Sequence, residues 1–145
     1  MKYQGRYNEA YDRFYKACWN AAWQDAGYFA CAQISTMQNR LADALDEINH
    51  SLIRNWHNHK ARALKVAVLR RMGQSEEALQ LIEDSLAIDK FNFGCRYEKY
   101  LISNVSDEFA TLKEMMRGEP HNYDEIALDY CAAGCWQEAA SLWNI

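Results

Sequence analysis

The sequence predicts an all-α protein, and two observations lead to that fold class. The chain of 145 residues contains one proline and six glycines, so few residues interrupt a helix. A turn-and-helix phrase also recurs: residues 5–17 read GRYNEAYDRFYKA and residues 73–85 read GQSEEALQLIEDS. The position midway between Gly5 and Gly73 is Asn39, and a third copy, NRLADALDEINHS, begins there.

When the three copies are aligned, the equivalent positions that share a residue type all lie on one face of the predicted helix. Two columns hold small residues and one holds large apolar residues: Ala10, Ala44 and Ala78; Ala17, Ser51 and Ser85; Phe14, Ile48 and Ile82. Positions three and four apart share a helix face. Each phrase therefore predicts a helix that another helix can approach closely.

The residue that opens each phrase predicts a turn. Glycine, and less readily asparagine, tolerates the left-handed backbone conformation in which many helices end. A further phrase, GCWQEAASLW, starts the same way. We therefore expect helices to end just before Asn39, Gly73 and Gly134.

The unit that follows residue 92 is shorter than the others. Its second helix, SDEFATLKEMMR, is expected to have Ser106 as its N-cap, Asp107 and Glu108 in its first turn, and an end at Gly118 and Pro120. The sequence thus predicts one domain over residues 1–145, divided into units at approximately 1–24, 25–58, 59–92, 93–119 and 120–145.

A helix-turn-helix period of about 34 residues is typical of tetratricopeptide repeats. The chain resembles this family in GRYNEAYDRFYKA, MGQSEEALQLIEDSLAID and YDEIALDYCAAGCWQEAASLW. The resemblance implies a right-handed superhelical stack of antiparallel helix pairs, with about nine helices. The segments AWQDAGYFACAQ, HKARALKVAVLRRMG and HNYDEIALDYCAAG also resemble the repeat region of large uncharacterised bacterial proteins that contain an additional β-rich domain of unknown function.

The family resemblance also implies a binding surface. The first helices of such repeats line a concave face, and the positions expected there are Phe29, Gln33, Met37, Lys60, Arg70, Arg71, Tyr97 and Leu101. Some family members clamp a peptide carboxylate with Lys and Asn on this face. Ala63 and Ala67 occupy two of those places, so we do not expect this clamp here.

Charge along the chain leaves two interpretations open. Residues 54–72 carry six basic side chains and no acid, whereas residues 76–89 carry five acids and no base. The basic helix could bind an acidic or extended peptide through Lys60, Arg70 and Arg71. It could instead pair with its acidic neighbour through Glu76, Glu77 or Glu83.

Composition excludes several classes of protein. A net charge of -4 disfavours nucleic-acid binding, and the chain contains no apolar run of membrane-spanning length. We also expect no signal peptide, because the first residues are charged and lack a continuous apolar segment. The five cysteines are scattered through apolar stretches, which is typical of buried thiols in a reducing compartment. We therefore expect a cytoplasmic protein that acts on neither nucleic acid nor membranes.

No group of residues in the sequence indicates a catalytic, redox or metal site. His57 and His59 lack neighbouring ligands for a metal, Cys131 and Cys135 need not share a face, and Asp124 and Glu125 are ordinary first-turn acids of a helix. We expect no catalytic, cofactor or metal site, and the sequence favours a non-catalytic scaffold that binds a protein or peptide on its concave face. The alternative is a helical accessory domain of a larger, possibly carbohydrate-directed enzyme.

The two ends of the chain generate a prediction. The period places Gly5 at a turn and Ile145 within a second helix, so we expect a fragment of a longer array with apolar end surfaces. Such surfaces promote association. We expect self-association through one or both truncated ends, visible as a mass that rises with concentration in light scattering. A constant monomer mass would contradict it.

Overall fold

The computed structural model describes residues 9–11, 24–55, 57–104, 106–116 and 120–143. Within these ranges the chain is all α-helical and contains no strand. Residues 9–11 are helical, and eight helices follow them in the described part: α1 (Gln24–Met37), α2 (Leu41–Arg54), α3 (His59–Arg71), α4 (Ser75–Ile88), α5 (Phe93–Ser103), α6 (Ser106–Met115), α7 (Pro120–Ala132) and α8 (Trp136–Trp143). The predicted fold class is confirmed at this level. None of the described helices is long and apolar enough to cross a membrane.

The three predicted turns are confirmed. Asn39, Gly73 and Gly134 have φ angles of 61°, 79° and 74° and follow the ends of α1, α3 and α7. At Gly73 the N–H of Gln74 donates to the carbonyl of Leu69 over 2.9 Å. The same bond recurs after Asn39 and Gly134 with lengths of 2.8 Å. This pattern is the Schellman motif, which satisfies carbonyls left open at a helix end.

The segments that precede α3 and α5 have the same hydrogen bonds, just as the turns do. The side chain of Asn58 accepts a hydrogen bond from the N–H of Ala61, and at the equivalent position of the next unit that of Asn92 accepts one from Cys95. Each asparagine N–H also donates three residues back, to the carbonyls of Asn55 and Asp89. These N-caps were not anticipated, although asparagine is a preferred N-cap residue.

Burial confirms the aligned columns wherever the structure describes them. The three alanines at positions 10, 44 and 78 are at most 4% exposed, and Ile48, Ile82, Ser51 and Ser85 are at most 1% exposed. Phe14 and Ala17 lie outside the described residues. The repeated small residues therefore lie where neighbouring helices meet.

The shortened unit departs from expectation at both ends of α6. Ser106 is the first helical residue, so its expected role as N-cap is wrong, whereas Asp107 and Glu108 do lie in the first turn. Asn104 ends α5 with a φ of 55°, a turn that the sequence analysis missed. Gly118 lies outside the described residues, and Pro120 opens α7, where its missing N–H costs no hydrogen bond.

Packing brings the last helix pair back over the earlier ones. Successive helices from α1 to α6 contact one another, and α7 contacts α1 and α5 as well as α8. One core cluster joins five helices through side chains that include Ala67 of α3, Tyr97 of α5, Leu112 of α6, Ile126 of α7 and Leu142 of α8. Because α7 contacts both α1 and α5, it lies across the side of α3 that these helices flank.

The outer face of the last pair remains apolar. Trp136 and Trp143 are 59% and 51% exposed, although Leu142 beside them is buried. The indole N–H of Trp143 donates to Asp124 over 3.0 Å, which links the end of α8 to the start of α7. Because Trp143 is half-exposed, an apolar end surface is present, and self-association through it stays a prediction.

The two turn glycines should differ in how they tolerate alanine. At Gly73 an added Cβ meets nothing within 4 Å, whereas at Gly134 it would lie 2.9 Å from Cα of Met37 and 2.8 Å from its Cγ. We expect Gly73→Ala to lower the free energy of unfolding by about 1 kcal/mol through its positive φ alone, and Gly134→Ala to lower it by roughly 3 kcal/mol because overpacking adds to strain. Urea denaturation of both variants measures this, and equal losses would show that the contact with Met37 carries no energy.

Candidate functional site

The structure brings the eight predicted concave-face residues onto one side of α1, α3 and α5, where α7 and α8 lie over them. Phe29, Gln33 and Lys60 line a cleft against α7. Tyr97 and Leu101 belong to the core that α7 and α8 complete. The other three meet the last pair or its turn: Met37 abuts Gly134, and Arg70 and Arg71 form ion pairs with Glu138 of α8. Most of the expected binding surface is therefore covered by the chain itself.

Glu98 lies at the centre of the covered surface. This glutamate is 0% exposed, and the Nε–H of Arg70 donates to its Oε2 over 2.6 Å. The Nη2 group of Arg70 reaches Oε1 at 3.2 Å, and the hydroxyl of Tyr130 donates to Oε1 over 2.6 Å. Both carboxylate oxygens are thus satisfied, as a buried charge requires.

The same contacts shift the acidity of the partners. Burial alone would lower the pKa of Arg70, but the hydrogen bond and the negative charge of Glu98 outweigh burial and raise it. Burial and the charge of Glu98 together raise the pKa of Tyr130 well above its usual value. The arginine therefore stays charged and the tyrosine stays a hydrogen-bond donor over the whole range of physiological pH.

Glu138 extends these contacts to α8. Its Oε2 accepts a hydrogen bond from Arg71 over 2.9 Å and lies 3.7 Å from Nη2 of Arg70. Glu138 is only 8% exposed. Arg70 and Arg71 of α3 are thus paired within the chain. Their partners are Glu98 and Glu138, neither of which is among the acids of α4 considered from the sequence.

A cleft remains open beside this network. Its volume is about 40 Å³, and its apolar lining includes Phe29, Leu64, Ala67, Ile126 and Tyr130. The ammonium of Lys60 on α3 lies 3.4 Å from a carboxylate oxygen of Asp129 and 3.9 Å from one of Glu125, both on α7. This ion pair spans the two walls of the cleft.

Close helix contact shapes the floor of the cleft. A Cβ added at Gly94 of α5 would lie 2.9 Å from Cβ of Ala63 on α3, so these two helices approach at small residues. The amide of Asn92 donates to the carbonyl of His59 over 3.2 Å and joins the starts of the same helices. The space continues past Gly94 toward Phe91, which is 56% exposed.

Burial also changes the acidity of other groups along these helices. Burial raises the pKa of Asp129 despite the opposing charge of Lys60. It raises the pKa of the Cys95 thiol and of the Cys135 thiol to about 12. Because a thiolate is the reactive form of cysteine, neither thiol is activated as a nucleophile.

The side chains that could have formed a catalytic or metal site do not form one among the described residues. No group of three or more His, Cys, Asp or Glu side chains could hold a metal ion within the residues that the structure describes. Asp124 and Glu125 were predicted to lie in the first turn of a helix, and this is wrong, because α7 already begins at Pro120 and its first turn contains no acid. Asp124 accepts the hydrogen bond from Trp143, and Glu125 lies near Lys60. Sequence reasoning missed the burial of Glu98 and the roles of Tyr130 and Asp129 as partners, because nothing local marks a helical residue whose partner lies 28 or more positions away.

Comparison with known proteins adds no identification. No protein-family model matches the chain, and no curated protein matches it.

The Glu98 contacts generate a stability prediction. We expect Glu98→Ala to lower the free energy of unfolding by about 3–5 kcal/mol, because it leaves the half-buried Arg70 without its main acceptor. We expect Tyr130→Phe to cost only about 1 kcal/mol, the net value of one hydrogen bond. Denaturant titration followed by circular dichroism measures both.

Glu76 provides the control for this prediction. Glu76 is exposed on α4, and Glu76→Ala should change stability by less than about 0.5 kcal/mol. A loss for Glu98→Ala no larger than that for Glu76→Ala would show that the buried contacts do not hold the helices together.

Proposed function

We propose that this chain is a non-catalytic protein-interaction module of tetratricopeptide-like repeats, stacked as a right-handed superhelix. In this proposal a segment of a partner protein binds in the cleft between α3 and α7. We also place the protein in the cytoplasm, since none of its four described cysteines is in a disulfide.

The observation that carries the proposal is the repetition of backbone contacts at one period. The Schellman turns at Asn39 and Gly73 are separated by the same number of positions as the N-caps Asn58 and Asn92. That separation matches the tetratricopeptide unit, a helix-turn-helix of about 34 residues. Arrays built in this way characteristically bind other chains along extended surfaces.

The chemistry of the cleft indicates which segment would bind. The lining is mainly apolar, as is usual in clefts that bind ligands. Lys60 is already paired with Asp129, and Arg70 and Arg71 are paired with glutamates of the same chain. The cleft therefore favours a segment that inserts a large apolar side chain over the acidic peptide considered from the sequence.

Selection from a random peptide display library tests the proposal. We expect enriched peptides to share a large apolar residue and to shift the amide NMR signals of Ala63 and Ile126. Gln33→Trp fills one wall of the cleft and should weaken their binding by about tenfold or more, equivalent to 1.4 kcal/mol.

Gln80→Trp is the matched control because Gln80 lies on the exposed face of α4. It should leave the affinity of the selected peptides unchanged. Enriched peptides that bind equally to both variants, or a library that yields no binder, would overturn the assignment of the cleft as the binding site.

A further inference from the structure

A second cavity adjoins the cleft between α3 and α7, on the side where α3 and α5 begin. Its volume is about 160 Å³, compared with about 40 Å³ for the cleft. Its lining is more polar than that of the cleft and includes His59, Asn92, Asn122 and Glu125. We call this space the outer cavity.

The boundary between the two spaces contains a movable part. Five residues line both the cleft and the outer cavity: Lys60, Ala63, Gly94, Ile126 and Asp129. Ala63 and Gly94 are in close contact and Ile126 is buried, so these three are fixed by packing. The side chains of Lys60 and Asp129, in contrast, are 41% and 45% exposed. Among the shared lining residues, the ion pair that joins α3 to α7 is therefore the part that can move aside.

The cleft is too small for the side chain that the proposed function requires. A cavity needs roughly 10–15 Å³ to hold one water molecule. A cleft of about 40 Å³ therefore accommodates only about three atoms of that size. A leucine side chain or a phenyl ring is larger, so the cleft must gain space before either can enter.

The ion pair at the boundary is weak enough to open. The ammonium of Lys60 lies 3.4 Å from Asp129 and 3.9 Å from Glu125, whose side chain is 61% exposed. Ion pairs that are exposed to water contribute little to stability and are screened by salt. The contacts of Glu98 with α3 and α7 are buried instead. These buried contacts keep the two helices together when Lys60 releases Asp129.

We propose that the side chain of Lys60 is a lid on the cleft. In the closed state its ammonium binds Asp129 and Glu125, and its stem separates the cleft from the outer cavity. In the open state the ammonium turns into water, the two spaces join, and a large apolar side chain of the bound segment enters. Rotation of an exposed side chain takes picoseconds to nanoseconds and requires no movement of the helices. The lid acts at the site of the proposed function, and its role rests on that proposal.

Benzene tests the lid without any peptide, because it is an apolar ring of the size that the closed cleft excludes. We expect NMR titration of the whole chain with benzene to shift the methyl signals of Ala67 and Ile126, which line the cleft. Lys60→Gln keeps most of the side chain but removes its charge, and Lys60→Ala removes the stem as well. Each variant should bind benzene at least about threefold more tightly than the unaltered chain, because an exposed ion pair no longer has to be broken.

Lys99→Gln is the matched control. Lys99 of α5 lies 3.7 Å from Glu83 and 3.3 Å from Glu108, so it also pairs with neighbouring helices, but it lines neither cavity. Its replacement should leave the affinity for benzene unchanged. Added salt should tighten benzene binding to the unaltered chain more than to Lys60→Gln, because screening weakens an ion pair only where one is present.

Three results would overturn the lid. One is a benzene affinity of Lys60→Gln that equals that of the unaltered chain or of Lys99→Gln. Another is weaker binding by Lys60→Ala, which would show that the stem is a wall of the site. The third is the absence of benzene binding to every variant.

The peptides from the display library separate failure of the lid from failure of the proposed function. Peptides that bind in the cleft with equal affinity to Lys60→Gln and to the unaltered chain would retain the proposed function and reject the lid. Tighter benzene binding by the Lys60 variants, together with a library that yields no binder, would retain the lid and reject the proposed function.

Discussion

The arrangement of the last helix pair depends on the buried carboxylate of Glu98. A charge that is removed from water destabilises a protein unless charged and hydrogen-bonded partners surround it. Glu98 of α5 has these partners only because Arg70 of α3 and Tyr130 of α7 both reach it. The three helices must therefore meet with one geometry. Glu138 then extends the constraint to α8 through Arg71.

Small residues allow two other close helix contacts that this arrangement needs. The turn at Gly134 lies against Met37 with no room for a side chain, and Gly94 lies against Ala63 in the same way. The first contact holds the α7–α8 turn against the end of α1, and the second holds α5 against α3. Between these contacts the helices separate, and the cleft lined by Phe29 and Ile126 is the space that remains.

The charges of the cleft are balanced within the chain. Lys60 meets Asp129 and Glu125 across the opening, so the charges are paired and the apolar lining dominates. An apolar side chain suits this site because the chain already supplies both members of the ion pair.

The sequence by itself determined the features that depend on neighbouring residues. The all-α class, the helix ends before Asn39, Gly73 and Gly134, and the buried columns could be predicted because backbone conformation and helix periodicity act over a few positions. The asparagine N-caps were equally local and could have been read from the same signals. Only the tertiary structure decided that Arg70 and Arg71 pair with Glu98 and Glu138, which are 28 and 67 residues away from them. Such pairs form only when packing brings distant helices together.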